Sequence, residues 1–529
     1  MIVSIILQYI QQLPNNRLMV CAPTNKAVTV LASRFMTAIR NSYDTASQNI
    51  NVVLVGEADK LMENESSLKP IFLYYFFSNL LHELKSLQRA LDQTRSSKQL
   101  TKKQQESWTE LQRLLHQFQS AVSFLEKDTV KCTQQLQEDL ETLLKEESTL
   151  LPPANHRDRM KLGVETLIEK VTALSKNDKA SFLFHQSIVR HAHIIFCTLT
   201  TAGGSIFKAG GGKTQQTVND LIVDEAGAAK ETELCIPFHL RPSRLCAIGD
   251  PKQLPATVMS PVAKNFSFDR SLHERLMVDC KYPYIMLTKQ YRMKEEISKF
   301  PSKRFYRGKL KNSAHVKSRR YIAPVKVLRD DQSFIFQQVQ GREKQTNRGS
   351  YENKAEAMAV VEWIETFRSK AVAQHDTNWS SSTSIRVISF YQAQVALISS
   401  LLRARGMGSV LVATVDASQG SESNLVILSF VRSCSSETSA RHGAGFLMDD
   451  RRINVALTRA KYELICIGNV RNMSCNSTLK TLQKLGKNAM KRKLTIGTEQ
   501  NVKENGQEKS VEYASVVPSQ QTRRHKILN

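Results

Sequence analysis

One stretch of the chain, residues 218–228, constrains the fold more than any other. It reads Val-Asn-Asp-Leu-Ile-Val-Asp-Glu-Ala-Gly-Ala, so a short apolar run is followed directly by Asp224 and Glu225. Such a run is typical of a strand buried on both faces of a parallel sheet, and α/β proteins bind ligands at the carboxyl ends of these strands. An Asp there can hold a hydrated Mg²⁺, and a Glu beside it can deprotonate a water molecule. Two solvated acids at an ordinary strand end are the alternative.

Similar apolar runs alternate with helix-like segments along most of the chain. Strands are predicted at 17–22, 51–55, 193–200, 221–223, 244–248, 384–390, 410–415, 424–431 and 462–467. This alternation predicts an α/β fold with two domains of similar build that frame a cleft. Residues 1–13 read as a helix without the features of a signal peptide, and no apolar run is long enough to cross a bilayer. No membrane partner is expected.

The strand signal disappears between residues 62 and 190, where leucines recur at helical spacing among Lys, Glu and Gln. The residues that carry this periodicity are Leu80, Leu81, Leu84, Leu87, Leu91, Leu111, Leu114, Leu115, Phe118, Val122 and Leu125. They predict an antiparallel helical arm inserted in the first α/β domain. A structural role, or the binding of a protein partner, suits such an arm better than chemistry does.

The charge of the chain points to a polyanionic partner. It has 74 Lys and Arg against 49 Asp and Glu, a formal net charge of +25. Basic residues are not confined to the tail, since they also recur through 292–320, and nucleic acid is therefore the expected partner. The nine cysteines form no Cys-x-x-Cys pair. They are interpreted as buried free thiols of an intracellular protein, with no zinc site and no disulfide framework.

Several other strand ends carry polar residues that suit phosphate chemistry. Thr24, Asn25 and the first backbone N–H groups of the next helix can contact phosphates. Gln253 can hydrogen-bond a terminal phosphate, Tyr291 can stack on a base, and Arg292 can bind phosphate oxygens through two N–H groups.

Two further segments have a defined geometry. On one continuous helix Arg452, Val455 and Arg459 would share a face. The glycine-rich segment 202–214 ends in Gly-Lys-Thr, but a phosphate-binding loop requires Gly where this chain has Phe207. The segment is therefore interpreted as a surface loop.

The order of six motifs along the chain resembles superfamily 1 helicases, in the branch that contains the nonsense-mediated-decay helicase, senataxin and the immunoglobulin mu-binding helicase. The segments 268–272 and 300–306 are also similar to that branch. The motifs are Ala-Pro-Thr-Asn-Lys-Ala-Val at 22–28, Val-Asp-Glu-Ala-Gly at 223–227, Gly-Asp-Pro-Lys-Gln-Leu-Pro at 249–255, Gln-Tyr-Arg-Met at 290–293, Val-Asp-Ala-Ser-Gln-Gly-Ser-Glu at 415–422 and Arg-Arg-Ile-Asn-Val-Ala-Leu-Thr-Arg-Ala-Lys at 451–461.

The resemblance implies two tandem RecA-like domains and ATP-driven movement along RNA or DNA, in this branch usually 5′ to 3′, with ATP and Mg²⁺ as cofactors. Asp224 would bind Mg²⁺, and Glu225 would activate water. Gln253 would sense the γ-phosphate, while Arg292 and Arg459 would act as arginine fingers.

The resemblance also implies contacts to the nucleoside and to the strand. Tyr291 would stack on the adenine. Glu422, with Gly420 beside it, would reach the ribose or link the nucleotide site to the strand. Thr24, Asn25 and Lys26 would contact the nucleic-acid backbone. The expected partner is single-stranded or duplex RNA or DNA.

The expected organisation follows from the same motifs. The first RecA-like domain is predicted over 1–275 with the arm at 62–190, the second over 276–486, and a basic disordered tail over 487–529. The compartment is expected to be the nucleus or the cytoplasm.

One element of the family pattern is missing, because members carry a phosphate-binding loop immediately before the helix that residues 1–13 resemble. The chain is therefore expected either to be a fragment of a longer helicase or to be a helicase-like protein with an impaired ATP site. An ATPase-deficient nucleic-acid-binding or scaffold protein is the alternative function. For the chain beginning at Met1, little ATP turnover is expected.

Overall fold

The computed structural model contains two compact units of α/β structure. Unit 1 comprises Met1–Tyr321, Thr414–Ser423 and Asp449–Lys461, and unit 2 comprises Ile322–Ala413, Asn424–Met448 and Tyr462–Asn529. The residues that the structure describes are 1–41, 50–61, 66–92, 102–121, 134, 138, 154–208, 217–318, 321–329, 331–433, 445–469 and 478.

Unit 1 is built on a parallel sheet of five strands in the spatial order β2-β3-β1-β4-β5. The strands are β1 (Leu18–Ala22), β2 (Val52–Leu54), β3 (Ile194–Thr198), β4 (Asp220–Val223) and β5 (Arg244–Ala247). Every residue of β1 to β4 is buried, as the apolar runs predicted, whereas residues of β5 are exposed or half-buried. Both β2 and β5 are edge strands, so edge position alone does not produce the difference; β2 differs from β5 in that Leu54 forms a further bridge to Phe72.

Alternate side chains of this sheet enter two separate apolar clusters. One face packs against helices α1 (Ile2–Gln12) and α2 (Asn25–Arg40) through Ile6, Leu31 and Phe35. The opposite face packs against the helical insertion. After α3 (Ala58–Leu61), the insertion contains α4 (Phe76–Asp92), α5 (Lys102–Ala121), α6 (Ala154–Lys176) and α7 (Asp178–His191).

The predicted helical insertion is confirmed, and its leucine stripe is its core. Leu80, Leu84 and Leu87 are fully buried in the same apolar cluster as strand residues of the sheet. Each buried leucine contributes about 1.5–3 kcal/mol of hydrophobic stabilisation. The insertion therefore covers one face of the sheet, which supports its structural interpretation. Val122 and Leu125 lie outside the described residues.

The remainder of unit 1 consists of short elements. They are α8 (Glu231–Cys235), α9 (Pro261–Asn265), α10 (Leu272–Val278), β6 (Lys289–Gln290), α11 (Glu295–Phe305), β7 (Lys311–Asn312), α12 (Ala314–Lys317) and, after two excursions into unit 2, α15 (Asp450–Leu457). The strands β6 and β7 form a separate parallel pair.

Unit 2 is built on a second sheet, in the order β12-β11-β13-β14-β8. The pairs β11–β13 and β14–β8 are parallel. Its elements are β8 (Phe334–Gln338), β9 (Lys344–Gln345), β10 (Tyr351–Glu352), α13 (Lys354–Ala373), β11 (Ile385–Ser389), α14 (Gln392–Ala404), β12 (Leu411–Thr414), β13 (Ser423–Ser429) and β14 (Ala460–Gly468). The expected α/β class with two RecA-like parallel sheets is confirmed.

Other expectations from the sequence have mixed outcomes. Cys21, Cys197 and Cys466 are buried free thiols as predicted, but Cys235, Cys246 and Cys280 are exposed, so burial of all the cysteines is wrong. The proposed tail at 487–529 lies outside the described residues, and the domain limits at 275 and 486 stay predictions. Among the helices that the structure describes, none is both long and apolar enough to cross a membrane.

Candidate active site

The strand order of unit 1 creates a crevice between β1 and β4. From β1 the chain passes to β2 on one side of the sheet, and from β4 it passes to β5 on the other side. A reversal of this kind leaves a gap above the carboxyl ends of the two strands, where α/β proteins bind ligands. Cys21 and Val223 are register partners, so Thr24 and Asp224 follow neighbouring strand ends.

The acid pair lies at this crevice in a constrained backbone conformation. The Asp224 N–H donates to the Cys21 carbonyl at 2.8 Å, which continues the β1–β4 ladder. Asp224 Oδ1 accepts the Glu225 N–H at 2.9 Å. Glu225 has φ 52° and ψ 34°, the left-handed region that costs a residue other than glycine about 1–3 kcal/mol. In this conformation the Glu225 carboxyl lies close enough to Asp224 for the two charges to interact.

Burial determines the protonation behaviour of the pair. It raises the pKa of Asp224, against the opposing effects of the Glu225 N–H and of Arg34. It also raises the pKa of Glu225, and the neighbouring charge of Asp224 raises this pKa further. A glutamate with a raised pKa is a better general base than an ordinary surface carboxylate.

Two glycines allow the loop after β4 to contact the loop after β5. A Cβ atom on Gly249 would lie 2.5 Å from the backbone N of Gly227 and 3.2 Å from that of Ala226. A Cβ atom on Gly227 would lie 3.1 Å from the Asp250 carbonyl oxygen. Since these neighbours are backbone atoms, no side-chain adjustment can relieve the contact. The pair of glycines thus brings Asp250 next to the acid pair.

Asp250 is the centre of a hydrogen-bond network. Its Oδ1 accepts the Lys252 N–H at 2.9 Å, and its Oδ2 accepts Gln253 Nε2 at 2.9 Å. The Tyr306 hydroxyl donates to the same Oδ2 at 2.6 Å. Asn454 Nδ2 donates to the Tyr306 oxygen and to the Lys252 carbonyl, both at 2.8 Å. The side chain of Gln253 is therefore held in place through Asp250.

Arg459 places a buried positive charge beside the acid pair. Its side chain is 2% exposed, and its three donors bind neutral oxygens: Val455 O at 2.9 Å, Ser421 O at 3.2 Å and Thr458 Oγ1 at 3.0 Å. Burial lowers its pKa to about 9, and the charge of Glu225 acts in the opposite direction. Within the described part of the chain no carboxylate forms an ion pair with it. A buried cation without a bonded anion is costly to the fold, so an anionic ligand is the natural counterion.

Arg292 and Glu422 are brought together in the same unit. Arg292 Nε donates to Glu422 Oε2 at 2.7 Å, and Lys461 Nζ lies 2.9 Å from Glu422 Oε1. Burial would raise the pKa of Glu422, but Lys461 and Arg292 outweigh it and hold this pKa at about 2. Arg292 also donates to the Thr458 carbonyl at 3.0 Å, which connects it to the residue before Arg459.

Ion pairs fix helix α15, which precedes Arg459, to other parts of unit 1. Arg451 pairs with Glu274 at 2.8 Å, and Arg452 pairs with Asp416 at 3.0 Å. The helix ends at Leu457, so the prediction that Arg459 continues the helical face of Arg452 and Val455 is wrong. Arg459 lies in the turn before β14, and its Nε–H instead binds the last turn of the helix.

The other predicted residues lie outside this network. Thr24 caps α2 by accepting the Ala27 N–H at 3.3 Å, and Asn25 and Lys26 form the first turn of that helix. The Tyr291 side chain is 64% exposed. Gly420 has φ +71° and forms a left-handed turn before Glu422. The proposed roles of these residues stay predictions.

The residues present fit a nucleotide with one divalent cation. Among the residues that the structure describes, no three His, Cys, Asp or Glu side chains converge as a metal site. Mg²⁺ does not require such a cage, because one or two carboxylates together with phosphates and waters suffice. Asp224 supplies that carboxylate, and the unpaired charge of Arg459 suits phosphate.

Sequence reasoning gave no role to Tyr306 or Asn454. In the sequence these two residues are only members of longer motifs, Phe-Tyr at 305–306 and Ile-Asn-Val at 453–455. No local signal distinguishes a buried tyrosine that binds a distant carboxylate from one that packs in a core. Only the contact with Asp250, 56 residues earlier in the chain, reveals the difference.

Comparison with known proteins identifies two family profiles and several helicases to which the chain is similar. One family profile described as an AAA domain matches residues 1–261, and a second with the same description matches residues 268–471. The chain is 34% identical over 323 residues to the probable helicase senataxin of Homo sapiens, which is 56% of this chain and 11% of that protein. It is 33% identical over 294 residues to the ATP-dependent helicase upf1 of Schizosaccharomyces pombe, covering 54% and 29% of the two chains.

A third relative is the regulator of nonsense transcripts 1 homolog of Drosophila melanogaster, with 34% identity over 289 residues, 53% of this chain and 23% of that protein. The chain therefore spans between 11% and 29% of the length of these three relatives. Among solved structures, the arterivirus nonstructural protein 10 helicase aligns with 52% of this chain and 42% of its own, at 13% identity and a TM-score of 0.26. That structural likeness is too low to bear on the site.

Proposed function

This chain belongs to the senataxin- and Upf1-like group of superfamily 1 helicases, and from that membership we propose that it is an ATP-dependent motor that moves along RNA or DNA and separates paired strands. The observation that supports this most directly is the buried guanidinium of Arg459 beside the acid pair. A cation without a bonded carboxylate, next to two acids at a strand-end crevice, suits phosphoryl-transfer chemistry.

ATP with Mg²⁺, when bound, supplies the phosphoryl group that is transferred to water. In this proposal Asp224 holds the cation, and Glu225 orients the attacking water and accepts its proton. Arg459 and Arg292 neutralise negative charge as it develops, and Gln253 contacts the terminal phosphate. Because Arg292 is bonded to Glu422, its movement onto phosphate requires that this ion pair open.

The polyanionic partner is proposed to be RNA or DNA. A net charge of +25 favours a sequence-independent grip on phosphates. Thr24, Asn25 and Lys26, at the start of α2, are proposed to contact the strand backbone, since helix N-termini bind phosphate well. An intracellular site of action, in the nucleus or the cytoplasm, is part of the same proposal.

The test measures ATP hydrolysis with and without single-stranded RNA and DNA, in a form of the chain extended upstream through the family's phosphate-binding loop, because little turnover is expected from the chain beginning at Met1. The parent chain is compared with Glu225→Gln, which keeps size and hydrogen bonding but removes the base. The matched control is Glu362→Gln, an exposed glutamate of α13. Strand-stimulated turnover that falls about 100-fold or more in Glu225→Gln alone supports the proposal. Turnover that survives this change, or that ignores nucleic acid, contradicts it.

A second candidate is an ATPase-deficient protein that binds nucleic acid as a scaffold. It is favoured by one observation, namely that the sequence contains no Gly-x-x-x-x-Gly-Lys-Ser/Thr pattern. It predicts salt-sensitive strand binding that is unchanged by ATP and by Asp224→Asn. The motor predicts that Mg²⁺-ATP changes strand affinity in the parent and not in Asp224→Asn.

A further inference from the structure

A basic surface lies in unit 1, formed by side chains that take no part in the proposed nucleotide chemistry. It is formed by α11, the turn after it and β7, together with β6 beside them, and we name it the α11–β7 surface. Arg304 of α11 is exposed but pairs with Asp450 at 3.0 Å. The other exposed cations of the surface are Lys289, Lys299, Lys303, Arg307, Lys309 and Lys311. None of these side chains forms an ion pair within the part of the chain that the structure describes.

A short network of serine hydrogen bonds holds this surface together. Ser298 Oγ donates to Asn312 Oδ1 at 2.9 Å, and Ser302 Oγ donates to the Leu310 carbonyl at 3.1 Å. The Gly308 N–H closes the turn by donating to the Ser302 carbonyl at 2.8 Å. The buried side of α11 thus packs on β7, and its lysines face solvent. The cations are therefore presented on ordered secondary structure and not on a loose chain.

Helical geometry aligns two of the lysines. Lys299 and Lys303 are four residues apart, so they lie on one side of α11 about 6 Å apart along its axis. The two acids of this helix, Glu295 and Glu296, occupy its first turn, where negative charge is stabilised by the helix dipole. The second half of α11 and the turn after it are consequently basic.

One pairing is unfavourable to the fold by itself. Lys289 of β6 and Lys311 of β7 are direct register partners, and both are exposed. Like charges directly opposite each other on neighbouring strands repel and destabilise the pair. A bound phosphate would convert this repulsion into two attractive contacts, so the pair points to an anionic ligand.

Exposed aromatic rings lie just before this pair. Residues 281–288 have no helix or strand, and Tyr282 and Tyr284 in this segment are 64% and 63% exposed. The segment leads directly into the surface, because the Lys311 N–H donates to the Thr288 carbonyl at 2.6 Å. Aromatic rings next to cations are typical of proteins that bind single strands, whose unpaired bases stack on the rings. The exposed rings therefore favour a nucleic-acid strand over an acidic protein segment, whose carboxylates would bind the cations alone.

We infer that the α11–β7 surface binds single-stranded nucleic acid, with phosphates on Lys299, Lys303 and the Lys289–Lys311 pair, and with a base stacked on Tyr284. The inference rests on the proposed function, because it supplies the motor with a strand contact away from the start of α2. The ligand contact is sequence-independent, since only backbone charge and base stacking are used.

The first test measures binding of fluorescein-labelled oligo(dU), a single-stranded DNA, to the full chain at several salt concentrations. The triple variant Lys299→Glu, Lys303→Glu, Lys311→Glu is compared with Lys176→Glu, Lys179→Glu, Lys208→Glu. The control removes the same charge from exposed lysines elsewhere in unit 1. The surface variant is expected to bind at least about tenfold more weakly and to lower the salt slope by about two, the value for three lost phosphate contacts on a single strand. The control is expected to keep the parent slope.

The second test isolates stacking. Tyr284→Ala is expected to weaken oligo(dU) binding by about fivefold or more without changing the salt slope, because a ring and not a charge is removed. Tyr284→Phe keeps the ring and is expected to bind like the parent. Both variants lie on an exposed segment, and their thermal unfolding should match the parent.

Each outcome bears on the inference. Equal losses in the two triple variants would show a general effect of net charge and would overturn it, as would parent-like binding by the surface variant. Heparin is a polyanion without bases. A surface variant that no longer binds heparin but still binds oligo(dU) like the parent would also overturn the inference, in favour of an acidic partner that is not nucleic acid. Those results leave the proposed motor intact if strand-stimulated ATP turnover remains. A parent chain that binds no strand at any salt concentration contradicts both.

Discussion

The Tyr306 hydroxyl donates a 2.6 Å hydrogen bond to Asp250 Oδ2, the same oxygen that accepts Gln253 Nε2 at 2.9 Å. One carboxylate oxygen thus connects α11 to the loop after β5, and Asn454 extends the connection to α15. Burial and the charge of Asp250 raise the pKa of Tyr306, so the phenol stays protonated and donates its proton throughout the physiological range. The orientation of Gln253 therefore depends on a residue that does not touch the phosphate crevice.

Tyr306→Phe is expected to destabilise the chain by about 2 kcal/mol, because a hydrogen bond to the half-buried, charged carboxylate of Asp250 is lost. In the proposed motor it should also lower kcat more than it changes KM for ATP, since Gln253 is mispositioned while the acid pair is unchanged. Tyr282→Phe, at an exposed hydroxyl, is the control. Urea unfolding and steady-state kinetics measure the two effects, and parent-like stability of Tyr306→Phe would contradict the importance of this bond.

Gly249→Ala adds one methyl group to this site and should destabilise the fold strongly. The new Cβ would lie 2.5 Å from the Gly227 backbone N, so the two strand-end loops must separate. A loss of about 2–4 kcal/mol is expected, the range for overpacking and backbone displacement. Gly163→Ala is the matched control, because nothing lies within 4 Å of its Cβ in α6, and it should stabilise the helix by about 0.5–1 kcal/mol. Denaturant titration measures the free energy of unfolding of both variants. Equal changes in Gly249→Ala and Gly163→Ala would contradict the close approach of the two loops.

Arg459→Met tests whether the buried guanidinium serves function and not stability. Three hydrogen bonds to neutral oxygens are lost, but so is the cost of a buried charge without a bonded anion. The free energy of unfolding should therefore stay within about 2 kcal/mol of the parent. The rise in melting temperature with Mg²⁺-ATP should disappear. Arg451→Met, which removes a half-buried guanidinium paired with Glu274, should keep that rise, and a rise that persists in Arg459→Met would exclude a phosphate contact.

Lowering the pH should destabilise the fold of unit 1, because Glu422 becomes protonated and its ion pairs are lost. Its pKa of about 2 in the folded chain lies below its ordinary value, because Lys461 and Arg292 outweigh burial. The stabilisation is therefore complete above about pH 4.5 and is lost as the pH falls from there towards about 2. Since the pair is partly solvated, about 1–2 kcal/mol is expected. Urea unfolding should show Glu422→Gln less stable than the parent at neutral pH, with the difference shrinking below about pH 4.5. A difference independent of pH would contradict this ion pair.

The helical insertion shows how much the sequence could predict about local structure. Leucine spacing identified the buried stripe of α4 correctly, because a helix repeats every 3.6 residues and burial follows that period. The spacing did not predict that the stripe would cover one face of the sheet of unit 1. Which surface an apolar stripe meets depends on distant strands, and their arrangement is not encoded in helical periodicity.

The acid pair shows which features the sequence determined and which depended on the tertiary structure. The sequence by itself determined that Leu221–Ile222–Val223 would form a buried strand and that Asp224 and Glu225 would stand at its carboxyl end, because the apolar run and the chain direction are local properties. Only the tertiary structure decided that Glu225 adopts a left-handed conformation, that Arg459 is buried without a bonded carboxylate, and that Asp250 accepts from Tyr306. These contacts join residues far apart in the chain, and long-range packing alone selects which polar groups lose water and find each other.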